Sequence, residues 1–463
     1  MRFSLLDQIQ CSCGREEWSM DGLVTSRPAE LNLDTVQCQT WCGFKQRPAA
    51  EVAPDDCSEC HQSRVLQGRL HCRCGRDWQI VDGIPGFSTA LLARKTVPRI
   101  RVVETDPAAD PRWERFVARH PQGSIYHHPR WLQALNAEYP RKSIHLACED
   151  SDGRLLAILP MVYTKGLSFG PQHITGRRLS SLPRTPLAGP LSIDSQATAA
   201  LLQAAVDLAQ CQSGVQVQVK TQSAEFDGML RELACVPWRL SYVLDISGDP
   251  DRPRCSSSAQ RHRVKNAVNK ATKLGLYVRV AEREDELRAW YELYLDTMRR
   301  NTVPPRPYRL FLALWNLLRP AGLMQLLLAE RQEHGVPRMV AGSIIFTYAQ
   351  TASYVFTGSK KEDLLLHPND LIQWHAIHDA AQKGLHWYDF GEVSEDHQQL
   401  TLFKSKWGAE PVQMYRYYYP GPRAVGAPAR SEQGHLKMLA SAGWRHLPLP
   451  VTARLGDRFY SYL

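Results

Sequence analysis

The chain has 463 residues, 43% of them hydrophobic and 9% aromatic, which is enough for sizeable cores and too long for a single one. Lysine and arginine exceed aspartate and glutamate by 56 to 47, a net charge of +9. That excess favours an anionic partner such as tRNA, a nucleotide or an acidic membrane surface, without choosing among them. The sequence has no run of about 18 apolar residues, which excludes a membrane-spanning helix; the start, MRFSLLDQIQCSCG, lacks the apolar stretch of a secretory signal, and a cytoplasmic location is expected.

Residues 1–90 hold eight of the twelve cysteines. Clustered thiols in a cytoplasmic chain point to metal, not disulfides. Cys57 and Cys60 form a C-x-x-C, and Cys72 and Cys74 a C-x-C-G; the segment CSCGREEWSMDG from Cys11 echoes CRCGRDWQIVDG from Cys72. Cys11, Cys13, Cys38 and Cys42 would make one four-thiolate zinc site and Cys57, Cys60, Cys72 and Cys74 a second; one site with a degenerate first quartet is the alternative. Cys148, Cys211, Cys235 and Cys255 stand alone and read as buried thiols.

Residues 91–111, rich in Arg, Val and Pro, read as a linker. A first α/β unit is expected over 112–246: helices WERFVARHP and PRWLQALNAEY, hairpin SIHLACEDSDGRLLAILPMVYTKG, helix QATAALLQAAVDLAQCQS and strand GVQVQVK. A second, over 247–420, repeats the order. Its basic helix RHRVKNAVNKATKLG leads to strand LYVRVA, helices EDELRAWYELYLDTMRRN and YRLFLALWNLLRPAG, and the strands of MQLLLAERQEHGVPRMVAGSIIFTYAQTASYVFTGS. Helix HPNDLIQWHAIHDAAQKG and strand HWYDFGE follow. The fold class is therefore α/β (α+β), two similar units with mixed sheets behind a small cysteine-rich module. From Trp387 to Tyr418 the pattern reads strand, acidic loop (Glu392, Glu395, Asp396), basic turn (Phe403, Lys404, Lys406, Trp407), strand. Residues 421–463 form a tail whose Trp444, Leu447, Leu449, Arg454 and Arg458 would either touch a membrane surface or pack on the tail's own domain.

These stretches carry a resemblance. VKNAVNKATKLGL, LYLDTMRRNTVPPRP, VAGSIIFTYAQTASYVFTGS, HPNDLIQWHAI, WYDFGE and FKSKWGAEP, in that order, are similar to the FemAB family of paired acetyltransferase-like (GNAT) domains, most closely over the second unit. The tail resembles a subgroup found beside exosortase and extracellular-polymer gene clusters. Residues 57–85 resemble the zinc ribbon of tRNA-methyltransferase activator subunits, with a C-x-C spacing at Cys72 that departs from it. A ribbon of this kind scaffolds or recruits a protein partner.

The FemAB resemblance implies transfer of an aminoacyl group from charged tRNA, or of an acyl group from coenzyme A, to an amine in cell-envelope or extracellular-polymer biosynthesis. The loop SKKEDLLLHPNDL lacks the glycine-rich pyrophosphate cradle of the coenzyme A enzymes. Resemblance maps the active-site lysine onto Lys404, on the final hairpin after Phe403, with Trp407 lining the substrate; Lys404 would stabilise the oxyanion. Asp389 and Glu392 would orient or deprotonate the amine. Arg261, Arg263, Lys265, Asn266 and Lys270 would meet phosphates, against the plainer reading of a solvated basic face. Asn369 and Asp370 read as helix caps. A degenerate, non-catalytic binding protein is the alternative from another class, and the tail would hold the enzyme peripherally at the inner membrane face.

Overall fold

The computed structural model describes residues 100–139, 141–165, 176–212, 214–248, 257–394, 397–421 and 443–460, and the backbone of the strands before residue 100. Contacts divide the chain into units 1–99 and 100–463.

In the first unit, strands Trp18–Thr25, Val65–Cys72, Asp77–Val81 and Ile84–Pro85 pair antiparallel in that order. The two copies of the cysteine repeat thus lay their second halves on the strands either side of Val65–Cys72. The side chains of all eight clustered cysteines lie outside the described residues. Cys11 and Cys72 are described only as backbone, at the ends of strands Ile9–Cys11 and Val65–Cys72.

The second unit is built on one sheet of thirteen strands. In chain order they are β1 (Arg101–Glu104), β2 (Lys142–Glu149), β3 (Leu155–Thr164), β4 (Arg177–Ser180), β5 (Leu191–Ser192), β6 (Val215–Thr221), β7 (Ala234–Asp245), β8 (Leu276–Val280), β9 (Met324–Glu333), β10 (Val336–Tyr348), β11 (Thr351–Ser359), β12 (Trp387–Val393) and β13 (Glu410–Tyr419). The helices are α1 (Pro111–Arg119), α2 (Pro129–Glu138), α3 (Ser195–Gln210), α4 (Ser258–Lys273), α5 (Glu284–Arg300), α6 (Tyr308–Leu317), α7 (Pro368–Gln382), α8 (Gln398–Ser405) and α9 (Leu449–Tyr460). The mixed α/β class and the repeated order read from the sequence are both present.

Across the sheet the strands run β8-β9-β10-β11-β12-β7-β13-β6-β4-β3-β2-β1, with β5 beside β3. Each half contributes an antiparallel meander ending in one parallel pair, β4 with β6 and β11 with β12. The last strand of each half then crosses over. β7 pairs with β12 of the second half, β13 pairs with β6 of the first, and the two exchanged strands pair with each other. β7, which lies at the end of the first unit's expected span, is therefore held between strands of the second. Residues 101–104, read as linker, are the edge strand β1.

Both parallel pairs are short. β11 and β12 bond only through Thr351–Ser353 and Trp387–Asp389, then diverge; β4 and β6 part after Ser180 and Gln218. Each divergence opens a wedge in the sheet. Around the wedges lie three cores. One, with Trp113, Trp131, Trp290 and Phe311, is shared by α1, α2, α5 and α6 of both halves; the others pack beneath α4 and α7 and beneath α3. Cys148 is buried as expected, whereas Cys211 at the end of α3 is exposed and Cys235 half-buried; Cys255 lies outside the described residues.

The segment between β12 and β13, expected as acidic loop and basic turn, contains the helix α8. Glu395 and Asp396 lie outside the described residues. The described part of the tail packs on the same unit: Asp457 of α9 pairs with Arg309 and accepts from the Tyr139 hydroxyl, and Thr452 is fully buried.

Gly358 on β11 shows how tightly α5 lies on the sheet, since a Cβ there would stand 2.5 Å from the Tyr294 backbone nitrogen. Gly358→Ala is expected to cost about 1–3 kcal/mol or more, because backbone, not a mobile side-chain tip, must give way. A denaturant midpoint within error of wild type would contradict this packing.

Candidate active site

The site grows out of a β-bulge. Val243 of β7 pairs with Asp389 of β12 and Ser241 with Glu392, so one β7 residue opposes two on β12. The extra residue is accommodated at Gly391, whose φ of +78° is open to glycine and strained for other residues. The inserted residue breaks the two-residue alternation. Asp389 and Glu392, three apart, therefore come to one face of the sheet.

Gly391 is bonded on both sides. Its N–H donates to Asp389 Oδ1 at 2.8 Å, and its carbonyl accepts from Lys404 Nζ at 2.7 Å. Lys404 projects from α8, and its Nζ also lies 3.3 Å from the Glu392 carbonyl. The side chain is only 6% exposed. Burial lowers its pKa to about 8, against the raising charges of Asp389 and Glu392. Asp389 moves the other way: burial raises its pKa, opposed by the Gly391 N–H, the Ser241 hydroxyl at 3.0 Å and the Lys404 charge. Glu392 pairs with Arg239 at 3.1 Å through one oxygen; its other oxygen is buried with no hydrogen-bond partner.

Two cavities flank the bulge. A cavity of about 600 Å³ reaches both wedges, and Arg178, Arg184, Lys220, Arg239, Lys404 and Arg416 line it against the single carboxylate Glu392. Lys220 and Arg416 are direct cross-strand partners, an opposition of like charges that costs stability. The Lys220 ammonium is seated on the Leu182 and Thr185 carbonyls at 2.6 and 3.0 Å, and burial pushes its pKa well down, with Arg416 adding to the shift. The second cavity, about 710 Å³, is lined by Asp389, Asp245 and Glu410 among apolar and aromatic side chains. Tyr126 and Pro186 line both.

Other expected site residues are placed elsewhere. Trp407 is fully buried in the core beneath α4 and α7 and lines neither cavity. Phe403 lies outside both linings too, its ring covered by the Lys406 ammonium at 4.3 Å. Arg261, Arg263, Lys265, Asn266 and Lys270 are exposed along α4 and line neither cavity. Asp370, expected as a helix cap, is instead ion-paired with Lys406.

Sequence reasoning missed Tyr126, Arg178, Arg184, Lys220, Arg239 and Arg416. A signal existed in VQVQVK, where Gln218 and Lys220 alternate with valines on a strand buried on both faces; alternation alone reads such positions as solvated.

The model of the acetyltransferase (GNAT) domain matches residues 258–399. A UDP-N-acetylmuramoylpentapeptide-lysine N(6)-alanyltransferase of Weissella viridescens is 21% identical over 326 residues, covering 65% of this chain and 89% of that protein. The crystal structure of FemX aligns with a TM-score of 0.54 at 16% identity, over 70% of this chain and 98% of that one. The comparisons bear out the FemAB resemblance, the tandem GNAT fold and the acyltransferase class. Among the described residues no cluster of potential metal ligands occurs, and no helix is long and apolar enough to cross a membrane.

The Lys404 shift fixes a sign for stability. Between about pH 8, its folded value, and its higher unfolded value, the unfolded chain binds more protons at this position, so the group's contribution to stability rises with pH. Relative to Lys404→Met, the wild type is expected to gain stability across that window in denaturant titrations. A flat or falling difference would mean that Lys404 is not held in a desolvating pocket.

Proposed function

We propose that the protein transfers an aminoacyl group from charged tRNA to an amine acceptor, as a FemAB-type enzyme of cell-envelope or extracellular-polymer biosynthesis. The observation that carries this reading is the Gly391 bulge, which joins a buried ammonium and a carboxylate of raised pKa through one residue at the meeting of two cavities.

The acceptor nitrogen attacks the ester carbonyl carbon of the donor directly, with no covalent enzyme intermediate. As the carbonyl oxygen becomes an oxyanion, the Lys404 ammonium stabilises charge absent from the ground state. Asp389 takes the proton lost by the nitrogen; a carboxylate whose pKa is lifted by burial suits this role better than an ordinary one. Collapse breaks the bond to the ribose oxygen, which leaves as a hydroxyl after accepting that proton. Among the cavity cations, Arg178 and Arg416 are suited to the phosphates beside the ester, and the exposed α4 face to the tRNA body, in a salt-dependent manner.

Charged tRNA is favoured over acyl-CoA by the start of α7, where a coenzyme pyrophosphate would sit in the related acetyltransferases. Asp370 lies there, 7% exposed and paired with Lys406, placing a carboxylate where an anion would bind.

We infer too that the amino-terminal cysteines hold structural zinc. Cys57, Cys60, Cys72 and Cys74 together supply the four thiolates that a closed structural zinc site needs. One or two zinc ions per chain are expected by metal analysis of the purified protein, falling by one in Cys57→Ser/Cys60→Ser. Zinc-free protein would end this part of the reading.

The central test is Lys404→Ala with charged tRNA and an amine acceptor. Transfer is expected to fall about 100- to 1,000-fold with an almost unchanged melting temperature, and wild-type kcat/KM to decline above about pH 8 as the ammonium titrates. Retained transfer, or acyl-CoA serving equally well, would overturn the proposal.

A further inference from the structure

One fully buried histidine sits beside the site without a role in it. His127 ends the short 3-10 turn Ile125–His127 between α1 and α2 and is 1% exposed. Its ring has a partner on each nitrogen: Nε2 lies 3.0 Å from the Gly189 carbonyl oxygen, and Nδ1 lies 2.8 Å from the Ser124 hydroxyl. A carbonyl only accepts, so Nε2 carries the proton. Burial lowers the pKa of the ring to about 4, which keeps it neutral at pH 7 and leaves Nδ1 bare. The Ser124 hydroxyl must then donate to Nδ1.

A hydroxyl has a single hydrogen. With that hydrogen committed to His127, Ser124 Oγ offers only lone pairs to any other group, and Ser124 lines the same cavity as Asp389. The turn that carries it is held firmly. A Cβ on the preceding residue, Gly123, would stand 2.0 Å from the Val117 carbonyl oxygen at the end of α1, and Trp113 Nε1 donates to the His127 carbonyl at 2.9 Å. Asp389 is prepared in a matching way. Its Oδ1 accepts from both the Ser241 hydroxyl and the Gly391 N–H, which leaves Oδ2 without a hydrogen-bond partner among the described residues. The cavity therefore presents two acceptors, one a carboxylate oxygen and one a hydroxyl whose proton is turned away.

A neutral amine carries two hydrogens and one lone pair. Two acceptors hold it by both hydrogens and leave the lone pair free, whereas a donating hydroxyl would bind the lone pair and block attack. We propose that Ser124 is a catalytic residue that accepts one N–H of the attacking nitrogen while Asp389 accepts the other, and that His127 is a positioning residue that fixes Ser124 in this role. The lone pair is thereby aimed at the ester carbonyl. As the C–N bond forms, Asp389 takes one proton and passes it to the leaving ribose oxygen. The hydrogen on Ser124 stays behind as the N–H of the new amide. The assignment rests on the transferase reading, and its own test is the direction of one hydrogen bond.

Nitrogen-15 spectra of the full-length protein labelled at histidine, with the His127 signals identified by their loss in His127→Gln, report which ring nitrogen is protonated. A proton on Nε2 is expected, with the Nδ1 signal moving downfield in Ser124→Ala as its hydrogen bond is lost. The kinetic arm compares glycinamide with its N-methyl analogue sarcosinamide, which has one N–H fewer, as acceptors from charged tRNA. In Ser124→Ala, kcat/KM is expected to fall about ten-fold for glycinamide and to stay nearly unchanged for sarcosinamide. A proton on Nδ1, glycinamide transfer undiminished in Ser124→Ala, or an equal fall for both amines would each remove Ser124 from the mechanism and leave the transferase reading standing. A wild type that transfers to neither amine overturns the role of Ser124 whatever the ring shows, and is the outcome that counts against the transferase reading as well.

Discussion

The candidate site depends on one extra residue in one strand. Without the bulge at Gly391, alternation would put Asp389 and Glu392 on opposite faces of the sheet. With it, both face the cavities, and a single residue couples the groups of opposite charge: its N–H holds the carboxylate and its carbonyl holds the ammonium. The coupling is mutual. Lys404 limits the rise in the Asp389 pKa, and Asp389 and Glu392 limit the fall at Lys404, so neither group reaches the extreme that burial alone would impose.

The exchanged strands give this arrangement its scale. Because β7 and β13 lie side by side at the centre, the wedge of each half opens toward the other, and a cavity between them draws on both. β6 supplies Lys220 while β12 supplies Glu392. Neither half would keep a complete site alone, since each surrenders its final strand. The shared core of α1, α2, α5 and α6 follows the same logic, and α9, tied to Arg309 and Tyr139, reinforces the junction from outside.

Much of this was legible in the sequence. Periodicity located most of the helices and the longer meander strands but not β1, β4, β5, β7 or α8, and the motif around Lys404 drew attention to a residue that lines a cavity. Two things stayed hidden. Strand exchange is a long-range pairing choice, and nothing in the local pattern of Ala234–Asp245 tells which half it will join. The cavity cations were hidden for a related reason: a strand pattern shows which residues share a face, not whether water or a cleft lies against it. The α4 lysines and arginines looked more like a binding site because they are close in sequence; Arg178, Arg184, Lys220 and Arg416 are gathered only by the sheet.

Several positions around the cavities break a rule that stable proteins ordinarily keep: Lys220 and Arg416 oppose like charges across paired strands, and one Glu392 oxygen is buried unpaired. Each defect costs stability in the free protein, and all of them border the two cavities. Local violations of this kind gather where a site is built for something other than its own chain. Lys220 is seated on the Leu182 and Thr185 carbonyls and Arg416 lies over the Trp238 ring, whereas Arg239 is paired with Glu392. Six basic side chains face one carboxylate in the cavity that these residues line, a lining that favours an anionic ligand and costs the fold stability, since like charges gathered in a cleft repel each other.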